Sequence, residues 1–367
     1  MTLDVGLSAL GWDAGWAEAF APHAAAGLRP ARVVAVHRDT SIVRDSSGDR
    51  PAAVSGVFRY EARATVDFPV VGDWVALDEA SVITVVLPRR TAFRRMAADG
   101  TRRGGGLDDE QVMAANVDVA LLVAGLDHDF NLRRIERYLA VARSSGIDAV
   151  VVLNKTDVGD DVDERRVEVE AIARGVAIVP VSATTGDGLE ALLGHLRPGT
   201  TTAILGSSGV GKSTILNALL GEDRQRTGAV RESDSRGRHT TTHRELFELP
   251  GGALLIDTPG IRALEVLGAE EGLEATFDDV ADIAATCRFN DCGHTNEPGC
   301  AVRAAIADGR LSEERVAGHQ KLERELAQAA RETDPRVRAE DRRTSRLIRK
   351  ASKASDAQAA RKERTEQ

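Results

Sequence analysis

At 367 residues, 42% of them hydrophobic, the chain has material for two or three domains with cores of their own, which excludes a disordered protein. A net charge of −9 argues against a generally sticky nucleic-acid binder but leaves room for local basic patches. No run of about eighteen apolar residues occurs and the N-terminus lacks a basic stretch followed by an apolar one, so the expectation is a soluble cytoplasmic protein with no membrane partner.

In chain order, residues 1–29 form an N-terminal extension in which Trp12, Trp16 and Phe20, at four-residue spacing, predict a short amphipathic helix packed on a neighbour. Five short β-rich runs follow, at 31–38, 40–44, 53–60, 73–78 and 81–86, separated by Gly and Asp/Ser turns. Over residues 30–88 they suggest a small closed barrel such as an OB-fold, a frequent carrier of nucleic-acid binding. A structural or protein-binding barrel would read the same way. Residues 89–110 are a basic, glycine-rich connector (Arg89, Arg90, Arg94, Arg95, Arg102, Arg103, then three glycines) that suits either RNA phosphates or a solvated linker.

From residue 111 to about 265 the texture is α/β. Residues 118–125 and 148–153 read as buried strands around a helix at 131–144. The second strand ends in Asn154-Lys155-Thr156-Asp157, where a ligand-reading loop of a parallel sheet should sit. A carboxylate there accepts from guanine N1–H and N2–H₂, whereas adenine offers a lone pair at N1 and no amino group at C2. Asp157 is therefore the candidate for choosing guanine, with Asn154 holding the loop and the Lys155 stem covering the base. A strand at 176–181 leads to Ser182-Ala183-Thr184, whose backbone suits contact with guanine O6. Taken singly, both motifs are common polar turns.

The strand 201–205 then delivers Gly206-Ser207-Ser208-Gly209-Val210-Gly211-Lys212-Ser213-Thr214, a complete phosphate loop opening a helix at 212–220. Its glycines let backbone N–H groups wrap a phosphate, Lys212 reaches the β and γ phosphates, and the Ser213 hydroxyl ligates Mg²⁺. A long polar stretch, 222–243, carries Gly237-Arg238-His239-Thr240-Thr241-Thr242, and one of these threonines, Thr241 for choice, would complete the Mg²⁺ shell. A hairpin at 244–256 ends in Asp257-Thr258-Pro259-Gly260, with Asp257 near Mg²⁺ through water and the Gly260 N–H on the γ-phosphate. The base-reading motifs thus precede the phosphate loop, the reverse of an ordinary GTPase. The domain is circularly permuted.

The only cysteines, Cys287, Cys292 and Cys300, lie with His294 within fourteen positions, a donor set suited to one tetrahedral, structural Zn²⁺ in a largely helical domain over 266–330. Residues 312–331 read as a charged amphipathic helix. The tail 331–367 holds 12 Lys/Arg against 7 Asp/Glu and suits RNA contact or a solvated helical or disordered tail equally.

The permuted motif order, the Gly-Arg-His-Thr-Thr-Thr run, the Cys-x4-Cys-x-His-x5-Cys site and the preceding barrel together resemble the RsgA family of small-subunit-dependent GTPases over roughly residues 30–330. Gly72-Asp73-Trp74-Val75, Pro88-Arg89, Gln111 and Ala115-Asn116-Val117-Asp118 extend the resemblance. It implies a GTP hydrolase that binds the 30S ribosomal subunit and its rRNA, acts late in its maturation, and leaves after hydrolysis stimulated by the subunit. Ile261 stands where an ordinary GTPase has its water-orienting glutamine, so His239 is the candidate catalytic partner of Lys212, with a loop-capping histidine as the other reading. Two competing functions remain from sequence: a permuted GTPase acting on the large subunit, and a non-catalytic RNA-binding adaptor with a structural nucleotide site. A monomer is the simplest oligomeric expectation.

Overall fold

The structure, a computed structural model, describes residues 5–37, 40–96, 110–159, 161–221, 244–257 and 270–333. It opens with two helices, α1 (Val5–Ala9) and α2 (Ala14–Ala25), rather than the single helix the aromatic spacing predicts. The first ends at Ala9, just before Gly11 at φ +85°, and Asp13 starts the second: its Oδ1 accepts the Trp16 N–H at 2.9 Å, the capping bond of α2. Trp12 consequently precedes the helix, yet Trp12, Trp16 and Phe20 are all buried. The two tryptophans pack on Trp74, with ring centroids 4.6 and 6.2 Å away.

The strands β1 (Arg29–His37), β2 (Thr40–Asp45) and β3 (Gly48–Ala52) form a meander. A helix, α3 (Gly56–Glu61), precedes β4 (Trp74–Leu77) and β5 (Ile83–Val86). Strand β1 also pairs with β4, β4 pairs with β5, and Val54 just past β3 makes a parallel bridge to Ile83 in β5, which brings the path β3-β2-β1-β4-β5 back to its start. The run 53–60, expected as a strand, is instead largely α3. Ser55 Oγ accepts the Phe58 N–H, and this cap decides against the β-prone side chains, leaving Val57 and Tyr60 66% and 92% exposed.

The connector contributes β6 (Ala92–Met96), which pairs antiparallel with β7 (Glu110–Ala115) at its exit. Of its arginines, Arg89 turns inward, while Arg90 and Arg94 stay exposed. Arg89 grips the fully buried Asp73 through two 2.8 Å bonds and also donates to the carbonyls of Val66 and Phe68. Arg90 pairs with Asp13 and lies 4.1 Å over the Trp16 ring. Arg102 and Arg103 lie outside the described residues.

The α/β layer comprises β8 (Val119–Gly125), α4 (Leu132–Ser144), β9 (Asp148–Asn154), α5 (Val162–Ile172), β10 (Ala177–Val181), α6 (Leu189–Leu193), β11 (Thr201–Leu205), α7 (Lys212–Leu220), β12 (Glu245–Glu248) and β13 (Leu254–Asp257). Strand order is β10-β9-β8-β11-β13-β12, parallel except for β12. Both faces of the sheet are covered. Along β8, Ala120, Leu122 and Ala124 enter one core while Leu121 and Val123 enter the other, which is why this strand reads as a continuous apolar run. Strand β1 meets the sheet edge at Ala35 opposite Glu245.

Four helices close the described chain: α8 (Glu270–Thr276), α9 (Asp278–Ala284), α10 (Ala301–Ala307) and α11 (Glu313–Thr333). They dock on α4. Arg315 Nη1 donates to the fully buried Glu136 at 2.7 Å, Nη2 to Asp279 at 2.9 Å and to the Thr276 carbonyl at 2.6 Å, and Arg137 pairs with Glu325. The main core runs without a break from Trp74 through Leu139 to Phe277 and Leu326.

Candidate active site and metal centre

The carboxyl ends of β9, β10, β11 and β13 bring the sequence motifs together. After β11 the chain turns through Gly206 to Gly211 into α7, with Gly211 at φ +95° in the cap position. Only glycine fits there, because a Cβ would lie 2.2 Å from Asn154 Nδ2; at Gly206 it would lie 2.6 Å from the Val123 carbonyl oxygen. Val210 is fully buried beneath the loop, while Ser208 and Gly209 at its crest are exposed. Lys212 Nζ donates to the Gly206 carbonyl at 2.9 Å and to that of Ser207, so its ammonium lies against the loop it follows. Ser213 and Thr214 sit half-buried in the first turn of α7.

Asn154, 2% exposed, joins three motifs. Its Nδ2 donates to the Val210 carbonyl at 2.7 Å and its Oδ1 accepts the Ala183 N–H at 3.1 Å. A buried amide satisfied by one carbonyl and one N–H has a single sensible orientation. Ser182, also fully buried, donates its hydroxyl to the exposed Asp157 at 2.7 Å and accepts the Thr185 N–H. Lys155 adopts φ +71° and pairs through Nζ with Asp127. Burial works against the Asp127 carboxylate, but the Lys155 ammonium and the Asp129 N–H outweigh it and hold its pKa below the ordinary value. Asp257 ends β13, one strand from the phosphate loop. His239, Thr241 and Gly260 lie outside the described residues.

One group escaped the sequence reading. Asp129 and Arg134 reach the loop from the start of α4, both bonded to Ser207. The only sequence hint is Asn131, which caps α4 by accepting the Arg134 N–H at 3.1 Å and so fixes where that first turn points.

The second site is in the C-terminal helices. The ligand atoms of Cys287, Cys292, His294 and Cys300 all lie within 4.8 Å of one another. His294 Nδ1 is 3.7 Å from Cys287 Sγ and 3.6 Å from Cys300 Sγ. A tetrahedron with metal bonds of about 2.3 Å to sulfur and about 2.1 Å to nitrogen has edges of roughly 3.6 Å, so the four donors fit a metal of zinc's size and softness. Their backbone is held independently. The Glu297 carboxylate accepts the N–H groups of Gly293, Thr295 and Asn296, and Gln320 donates to the Gly293 carbonyl.

This sheet order, with a phosphate loop that follows the base-side loops in sequence but meets them in space, defines a circularly permuted GTPase fold. The RsgA GTPase family model matches residues 86–267. The small ribosomal subunit biogenesis GTPase RsgA of Opitutus terrae is 51% identical over 343 residues, 90% of this chain and 92% of that protein. The protein of the same name from Streptomyces coelicolor is 44% identical, covering 92% of this chain and 91% of its own length. Among solved structures, YjeQ from Thermotoga maritima aligns with a TM-score of 0.59 and 30% identity over 82% of this chain and 99% of that one. YloQ, described as a circularly permuted GTPase, shares the fold with a TM-score of 0.55 at 23% identity, over 82% and 96% of the two chains. The chain belongs to the RsgA GTPase family.

Proposed function

We propose that the chain hydrolyses GTP to GDP and phosphate on the 30S ribosomal subunit, in contact with its rRNA, and that hydrolysis late in subunit maturation drives its release. The observation that carries the nucleotide reading is Asn154, whose one side chain ties the phosphate loop at Val210 to the base-side loop at Ala183. The ribosomal partner follows from the family and from the printed names of relatives that match along about nine-tenths of the chain.

In this reading the N–H groups of residues 206 to 214 cradle the phosphates and Lys212 leaves the Gly206 and Ser207 carbonyls for the β and γ oxygens. Ser213 and Thr241 would hold Mg²⁺, with Asp257 behind it and the Gly260 N–H on the γ-phosphate; the ion supplies charge neutralisation at the β and γ phosphates. Asp157 reads guanine N1–H and N2–H₂, steadied by the Ser182 hydroxyl. Guanine O6 would share the Ala183 N–H with Asn154 Oδ1. The assignment of His239 as the group that orients water rests on sequence alone. Cys287, Cys292, His294 and Cys300 would hold one structural Zn²⁺, since four protein donors fill a tetrahedron.

For the remaining chain we read an extension at 1–29, an OB-fold at 30–88, a connector at 89–110, the permuted GTPase domain at 111–265, a zinc-binding domain at 266–330 and a tail beyond. The strand path β3-β2-β1-β4-β5, closed by the Val54–Ile83 bridge with α3 inserted before β4, supports the OB-fold. Among the described residues no helix is long and apolar enough to cross a membrane. We read the chain as a cytoplasmic monomer.

The deciding assay is GTP turnover by the full chain alone, with 30S subunits and with 50S subunits, using ATP as the specificity control. Strong stimulation by 30S alone, with ATP ignored, is expected. Equal stimulation by 50S subunits, or turnover indifferent to both, would overturn the assignment to the small subunit.

A further inference from the structure

Ser207 is the second residue of the phosphate loop, and it is held from both sides. Its carbonyl accepts from Lys212 Nζ. Its hydroxyl accepts from Arg134 Nη1 at 2.7 Å and donates to Asp129 Oδ2, the same oxygen that takes a second Arg134 N–H at 2.7 Å. The three side chains close a ring through the Arg134 Nη1, the Ser207 hydroxyl and the Asp129 carboxylate, so the hydroxyl has one orientation rather than three. Burial raises the cost of the Asp129 carboxylate, but the bonds from Arg134 and Ser207 outweigh it and keep its pKa below the ordinary value. The ring is therefore charge-assisted throughout the neutral range.

Arg134 cannot easily wander from this position. Asn131 pins its backbone at the start of α4, and the helix is clamped one turn on, where Glu136 takes Arg315 and Arg137 takes Glu325 from α11. A loop whose N–H groups must converge on a phosphate loses conformational freedom when it binds, and an anchor made beforehand reduces that loss.

We infer that Arg134, with Asp129, is a positioning residue for the phosphate loop: it holds Ser207 so that the loop is preformed for the phosphates shared by GTP and GDP. The inference rests on reading this loop as the nucleotide site. Because the ring touches no reacting atom, it contributes equally to the ground and transition states. Its loss then appears in Kd and KM, leaving kcat alone.

The test is titration of GTP and GDP together with steady-state turnover, on the full chain and on Arg134→Ala, Arg134→Lys, Ser207→Ala and the Arg134→Ala/Ser207→Ala double variant. Arg134→Ala should raise Kd for both nucleotides and KM for GTP by about tenfold, with kcat within about twofold. Arg134→Lys should recover most of the loss, and the double variant should bind no worse than the weaker single one, because both remove the same contact. Unchanged affinity in Arg134→Ala, even with a lowered melting midpoint, overturns the inference. A fall in kcat at constant KM also overturns it, by placing Arg134 on the transferring phosphate. A wild-type chain that fails to bind GTP strikes the site reading itself, which separates the two failures.

Discussion

Replacing Asn154 with alanine tests whether one buried amide assembles the nucleotide site. Asn154 is 2% exposed and spends its donor on the Val210 carbonyl at 2.7 Å and its acceptor on the Ala183 N–H at 3.1 Å. Truncation strips the partner from two backbone groups on buried residues, and each group so abandoned costs about 1–3 kcal/mol. Taking about 3 kcal/mol for the pair, and noting that the lost bonds are the ones joining the phosphate and base loops, GTP affinity should fall by about a hundredfold. Asn154→Asp should be no better: it keeps the acceptor for Ala183 but turns a carboxylate oxygen toward the Val210 carbonyl. The measurements are fluorescence titration with a labelled GTP and thermal melting of each variant. Asn154→Ala binding GTP within about threefold of wild type refutes the reasoning, whether or not the variant melts earlier.

Lys212→Ala removes the cation that would meet the β and γ phosphates and should abolish hydrolysis and GTP-dependent release from the subunit; persistence of both would refute the role assigned to Lys212 and the phosphate-loop mechanism built on it. Elemental analysis should find one zinc per chain, lost in Cys292→Ser with a lowered melting midpoint, and an unchanged metal content would show the donor assignment wrong. The Arg90 guanidinium holds the Asp13 pKa down from 3.8 to about 2, so the pair's stabilisation is complete above about pH 5 and fades as pH falls through 4 toward 2. Asn can still cap α2, so the urea midpoint difference between wild type and Asp13→Asn should be constant at neutral pH and shrink in that acid window; a difference flat to pH 2 would contradict the shift.

Much of the site was legible because its residues are contiguous and its strands are buried on both faces. The runs 118–125, 148–153 and 201–205 appear as β8, β9 and β11 within a residue, and the helix at 212–220 is α7. Legibility ended where a residue's role depends on a distant partner. Nothing about Arg89 in sequence reveals Asp73, sixteen residues back and fully buried, so an arginine suited to phosphate is in fact an internal tether. The same holds for Arg134 and Ser207, 73 positions apart, and for Arg315 and Glu136, separated by 179. At 53–60 the failure was local: one serine hydroxyl outweighed a run of β-prone side chains.

The Arg315–Glu136 pair also bears on why the permuted order suits this fold. A buried ion pair is weak evidence of stability, since an apolar pair of like volume is often as good, but removal of one partner leaves the other charge stranded at about 3–5 kcal/mol. Such a pair penalises every docking geometry except the one that joins its halves. Here the halves lie on α4, ahead of the phosphate loop in sequence, and on α11, beyond β13. In an unpermuted chain the base-side loops would follow β13, standing between it and any C-terminal unit. The permuted chain instead leaves the sheet at β13 and its next described helices return directly to α4, whose first turn meets Ser207. One 13-residue helix thus contacts both the C-terminal unit and the phosphate loop, so a partner bound to that unit engages an element already in contact with the site of hydrolysis.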